Sequence, residues 1–201
     1  MIRKIYCEIT GFLKKNVNKK YRKTTMIFLP TTKNIVGVPV PKIKKFAALI
    51  HKKYGKNLAY PDLLKLCGIL FKTGARENIV IAIELLSRSR LQFSKQLWNK
   101  IRHWSGYIDN WETCDRLTWH IISKLFLQNP GIIKQLVEYA HSGNLWKRRI
   151  AVSTMASLNQ QKKYYPEETA QICGILENDT EPMVKKAVSW ALRELNKRIS
   201  I

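Results

Sequence analysis

The chain has 201 residues, 45% of them hydrophobic and 25% charged, with only 9 Gly and 7 Pro. Those shares belong to a soluble folded protein of about one domain, which excludes a disordered chain, a collagen and a membrane bundle, and the turn residues are too few for a many-hairpin all-β barrel. Lys and Arg number 36 against 14 Asp and Glu, a formal net charge of +22. An excess of one sign that large repels itself unless an anion is near, so nucleic acid is the first partner to expect and an anionic membrane surface the second. A basic bias shared by a whole proteome is the bland alternative.

The four cysteines (Cys7, Cys67, Cys114, Cys173) stand far apart, and so do the four histidines (His51, His103, His120, His141). A structural zinc site needs paired short spacings and a disulfide framework suits much smaller chains, so no metal, no cofactor and reduced, mostly buried thiols are expected. The basic and apolar opening lacks the continuous apolar stretch of a secretion signal, and no membrane-spanning run follows. The expected location is the cytoplasm, with access to the nucleoid in a cell without a nucleus.

Residues 1–56 hold 15 Lys or Arg against one acid, Glu8. Ile2, Ile5, Tyr6, Ile9, Phe12 and Leu13 fall at helical spacing, so residues 1–33 read as a basic helical segment, either a layer of the fold or a semi-ordered arm. From residue 34 to 201 the pattern is one continuous helical domain. Pro41 opens a helix carrying Ile43, Phe46, Ala47 and Ile50, and Pro61 opens one carrying Leu64, Cys67, Leu70 and Phe71. Residues 79–86 are apolar on nearly every face, as a helix buried between neighbours must be. Pro130 starts a helix over 132–140, Pro166 one running to Leu176, and Pro182 the last, with Val184, Ala187, Val188, Ala191, Leu192 and Leu195 on its core stripe. Prolines just inside helix starts, with short connections, describe antiparallel helix pairs repeating every ~35–45 residues. The expected fold is therefore all-α, a HEAT-like or armadillo-like helical solenoid whose concave basic groove could follow a rod-shaped partner.

Three segments set Trp beside charge. In the first, Trp111 and Asp115 lie one turn apart on a helix face. In the second, Trp146 precedes Lys147, Arg148 and Arg149 at a helix start. In the third, Trp190 stands off the apolar stripe of a helix that also carries Lys185, Lys186 and Arg193. Taken singly, each reads as a half-buried anchor beside a solvated charge. Taken together, aromatics, one carboxylate and guanidinium groups suit hydrolysis of a glycosidic bond, in which a cationic sugar develops that a carboxylate stabilises. If the leaving base is already cationic, as in an N3- or N7-alkylated purine, no general acid is needed.

These residues resemble the DNA alkylation repair proteins of the AlkD type, HEAT-like DNA glycosylases, over residues 34–198. Gly37-Val38-Pro39-Val40-Pro41 is similar to the family's G-V-x-x-P, and Glu77 with the apolar run after it to E-R/x-x-x-A-L-x-x-L. Trp111-Glu112-Thr113-Cys114-Asp115 is similar to W-D-x-V-D and Trp146-Lys147-Arg148-Arg149-Ile150-Ala151 to W-x-x-R-A-A. The stretch from Lys186 to Glu194 is similar to K-A-I-G-W-x-L-R-E. The resemblance implies a monofunctional glycosylase, acting as a monomer on duplex DNA that carries alkylated bases. Asp115 would be the catalytic carboxylate, Trp111 and Trp190 would pack against the lesion nucleotide's deoxyribose and backbone, and Arg149 would contact a phosphate. Lys147, Arg148, Lys185, Lys186 and Arg193 are the further candidate DNA-binding cations. Phe28 stands where the family tends to have a Tyr, which removes a hydroxyl contact to DNA, and the chain stops at Ile201 where relatives often continue, so a shorter groove is expected. A non-catalytic binder of distorted or branched DNA and a protein-interaction solenoid are the alternatives.

Overall fold

The computed structural model describes residues 1–199; Ser200 and Ile201, which end the region read as the helical domain, lie outside them. The described residues are helical throughout, as expected, and the nearest thing to a strand is a single parallel bridge between Asn34 and Ala75. The chain forms two compact units, Met1–Thr113 and Cys114–Ile201. The segment 1–33 lies inside the first.

The first unit holds α1 (Ile2–Lys15), α2 (Lys19–Phe28), α3 (Val40–Tyr54), α4 (Tyr60–Lys72), α5 (Arg76–Arg88) and α6 (Lys95–Trp104). Prolines sit in the first turns of α3 and α4, where a missing N–H is harmless. The apolar run 79–86 is buried along with Glu84, and α3 and α4 pack against it. Each such Ile or Leu contributes about 1.5–3 kcal/mol over its exposed state. Of the segment read as layer or arm, α1 is packed, whereas α2 is exposed along most of its length. Ile5, Ile9 and Leu13 of α1 are buried, Phe12 stacks on Phe46 at 3.9 Å, and Glu8 accepts hydrogen bonds from Lys53 and Tyr54.

A buried polar knot joins α2, α5 and the loop 29–39. The Glu77 carboxylate, fully buried, accepts the backbone N–H groups of Val36, Gly37 and Val38 at 2.9, 2.8 and 3.3 Å and Arg76 Nη1 at 3.1 Å. Arg76 Nε donates to Glu112 at 2.7 Å and Nη2 to the Tyr21 hydroxyl at 3.2 Å. Burial pulls the Arg76 guanidinium down, but its bonds to Glu112 and the charges of Glu112 and Glu77 outweigh that and hold it above its ordinary value. Gly37 takes φ +98° against the start of α2, and a Cβ there would stand 2.6 Å from Cβ of Arg22. The G-V-x-x-P-like stretch is thus fixed by a buried carboxylate and a residue without a side chain.

The second unit continues the helix α7 (Trp111–Leu117) through a π-helical stretch, Thr118–Ile122, into α8 (Ser123–Gln128). Then come a 3₁₀ turn at Pro130–Ile132, α9 (Ile133–Ala140), α10 (Leu145–Gln160), α11 (Pro166–Leu176) and α12 (Pro182–Ile199). Residues 149–159 of α10 are buried on every face, with α9, α11 and α12 packed around them. Asn144 starts α10 by accepting the N–H groups of Trp146 and Lys147, and Trp146 is buried as its anchor. On α12, Val184, Ala187, Ala191 and Leu195 are buried, but Leu192 is exposed: at the edge of the stripe, it turns to solvent.

Gly37→Ala should lower stability by about 1–3 kcal/mol through the positive φ alone, with the clash against Arg22 adding to it, and Glu77→Ala by about 3–5 kcal/mol because three backbone N–H groups lose their acceptor and the buried Arg76 loses one of its two carboxylates; urea unfolding measures both. Burial pushes Asp179 up, but Arg148, the N–H of Glu181 and the charges of Arg148 and Lys185 outweigh it and hold the carboxyl below its ordinary value. The stability it supplies is therefore present above the unfolded pKa of about 3.9 and is lost as pH falls through the lower folded value. Asp179→Asn should be less stable than wild type at pH 7 and converge with it in acid unfolding near pH 3 and below.

Candidate active site

Asp115 lies in α7, one turn after Trp111. The helix starts at Asn110, whose side chain accepts the N–H of Thr113 at 2.9 Å. Asp115 faces α10. Arg149 Nε donates to Oδ1 at 3.0 Å and Nη2 to Oδ2 at 2.7 Å, a forked guanidinium–carboxylate pair. Ser153, one turn further on α10, donates from Oγ to Oδ1 at 3.1 Å. Arg149 Nη1 donates to the carbonyl of Met183 in the first turn of α12. Oδ1 thus receives two donors and Oδ2 one, so a lone pair remains on Oδ2, and the Asp115 side chain is 22% exposed against 7% for Arg149. Burial pulls Arg149 down, but the bond and charge of Asp115 outweigh it and hold the guanidinium above its ordinary value.

Arg149 and Arg148 were the cations expected at phosphate. Both are spent on protein. Arg149 is buried against Asp115, the nearer anion, and an ion pair is what makes its burial tolerable. Arg148 holds Asp179 with Nε at 2.6 Å and Nη2 at 3.2 Å, and its Nη1 donates to the carbonyls of Ser142 and Gly143. Lys147 is half-buried with its ammonium 5.6 Å from the centre of the Tyr139 ring. Lys185, Lys186 and Arg193 on α12 are exposed, although Arg193 Nε also donates to Glu194 at 3.4 Å. Of the tryptophans, Trp111 is exposed and donates from Nε1 to the carbonyl of Phe28 at 3.2 Å, and Trp190 is half-buried.

Sequence reasoning missed Ser153, which reads as one more small residue inside an apolar helix, and Asp179, which reads as a turn residue. A signal existed for Ser153: it stands one turn after Arg149 on the same face, where a side chain bonded to the same partner belongs. It also missed the apolar end of α2, where Met26, Ile27 and Phe28 are all exposed after the exposed Lys19, Lys20, Arg22 and Lys23. Among the described residues no three His, Cys, Asp or Glu side chains are placed to hold a metal ion, and no helix is long and apolar enough to cross a membrane. Cys67, Cys114 and Cys173 are buried free thiols, while Cys7 is exposed. Burial pushes the Cys114 thiol, beside Asp115, well above its ordinary value, so it does not offer a thiolate.

No curated protein matches the chain. Residues 9–200 match the family model described as DNA alkylation repair enzyme, and the chain belongs to that family.

Proposed function

We propose that this protein, to which family membership gives a role in DNA repair, is a glycosylase hydrolysing the N-glycosidic bond of cationic N3- or N7-alkylated purines in duplex DNA, and that Asp115 is its catalytic carboxylate. The observation that carries this reading is the state of Asp115: a forked guanidinium and a serine hydroxyl fix the carboxylate, and a lone pair of Oδ2 is left over. As the bond from C1′ to the base nitrogen breaks, its electron pair goes to the alkylated ring and cancels the positive charge there. The sugar becomes an oxocarbenium ion, which the negative Oδ2 stabilises until water adds at C1′ and gives up its proton. The products are a neutral alkylpurine and an abasic site. A fixed anion facing a developing cation needs no reorganisation during the reaction, and Arg149 and Ser153 keep it fixed.

Arg149 is in this reading a positioning residue. The phosphates fall to exposed cations of α12, Lys185, Lys186 and Arg193. Trp111, one turn before Asp115 on the same helix, and Trp190 keep the roles implied by the resemblance, contacts to deoxyribose and backbone.

The test is release of 7-methylguanine or 3-methyladenine from methylated duplex DNA at low salt. Wild type should release base, and Asp115→Asn should slow release by about 100–1,000-fold while duplex affinity stays within a few-fold. Its melting temperature is measured alongside, since the variant also weakens a partly buried pair. A wild type that binds duplex tightly and releases no base would leave a non-catalytic binder, for which the Arg149–Asp115 pair is a structural tie. Changing Lys185, Lys186 or Arg193 to Gln should each reduce the slope of log K against log salt by about 1, whereas Arg148→Gln should act mainly on stability.

A further inference from the structure

Within the first unit, a cavity of about 420 Å³ opens where the end of α3, the start of α4 and the end of α5 meet. Its lining combines an apolar part, with Leu58, Leu63 and Leu85, and two arginines, Arg88 and Arg90. No carboxylate lines it, although Arg88 Nη1 is paired with the Glu84 carboxylate and also donates to the Glu84 carbonyl at 2.9 Å. Arg90, the other lining arginine, is exposed. None of the lining residues belongs to the set assigned above to DNA.

A space this large holds about fourteen waters at their liquid volume of ~30 Å³ each, and those against the leucines lack partners. A molecule that covers the leucines with an apolar or aromatic body releases them, and a single anionic group on that body meets an arginine. Duplex DNA fits this poorly, since its charge is outermost and its flat apolar faces are stacked away. The volume lies in the range of small-ligand sites, which combine such an apolar lining with a few polar groups that set orientation.

We propose that this cavity is a binding site for a small organic anion, one carboxylate or phosphate on an apolar or aromatic body, with Arg90 as its charge partner. The site is independent of the glycosylase reading: its probe binds or fails to bind whatever happens at Asp115.

The experiment titrates the full-length protein with the fluorescent aromatic sulfonate 1-anilinonaphthalene-8-sulfonate at about 150 mM salt, where loose attraction to a protein this basic is screened. Saturable binding of one probe per chain is expected. Arg90→Ala should weaken it about tenfold, and Leu58→Trp, which fills the space, should abolish it. Lys65→Ala removes the same charge from an exposed position on α4 that does not line the cavity, and should change binding by less than twofold. Circular dichroism melts confirm that each variant is folded. Naphthoate and adenosine monophosphate are then competed against the probe, and displacement by either identifies the head group. Non-saturating binding, an equal effect of Arg90→Ala and Lys65→Ala, or displacement by neither competitor would overturn the proposal.

Discussion

Carboxylates are the scarce resource of this protein. With 36 cations and 14 anions, every acid placed inside to tie elements together is one fewer to neutralise the surface. The structure uses them inside. Glu77, Glu84 and Glu194 are buried, Glu112, Asp115 and Asp179 are largely covered, and each of the six holds an arginine. Arg76, Arg148 and Arg149 are drawn inward with them, while Arg193 stays exposed among the lysines of the surface. A lysine-covered surface around carboxylate-fastened helices is a natural outcome for a DNA repair protein, whose partner is a polyanion.

The helical skeleton was legible because its signals are local. Pro41, Pro61, Pro166 and Pro182 stand in the first turns of α3, α4, α11 and α12, and the apolar run 79–86 has no polar face to expose, so its burial follows from periodicity. The destination of each arginine was not legible. Arg148 and Arg149 are neighbours in a run of three cations, but a step of about 100° around the helix sends them to different partners, Asp179 and Asp115, each more than thirty residues away in sequence. Glu77 shows the same limit: its position in a family-like stretch was visible, but its three backbone donors come from a loop about forty residues upstream.

Near Asp115 the helix itself is irregular. The π-helical stretch Thr118–Ile122 starts three residues after Asp115 and inserts extra backbone before α8. Thr118 spends its hydroxyl on the carbonyl of Asp115 at 2.9 Å, and Cys114 is fully buried beside it. The wider turn changes the register of everything downstream. Asp115 faces α10, and Ile121, Ile122, Leu125 and Phe126 beyond it are all buried in the core.

Arg148 and Arg149 together lock α10 to the approach and first turn of α12, one through Asp179 and the other through the carbonyl of Met183. Arg149 spends the rest of its fork on Asp115, so the carboxylate and the first turn of α12 share one guanidinium. A shift of α12 along α10 would pull on that guanidinium and turn the carboxylate with it. Trp190, Lys185, Lys186 and Arg193 ride on the same helix. The first turn of α12 and the Asp115 carboxylate are thus linked by a path of two hydrogen-bonded groups.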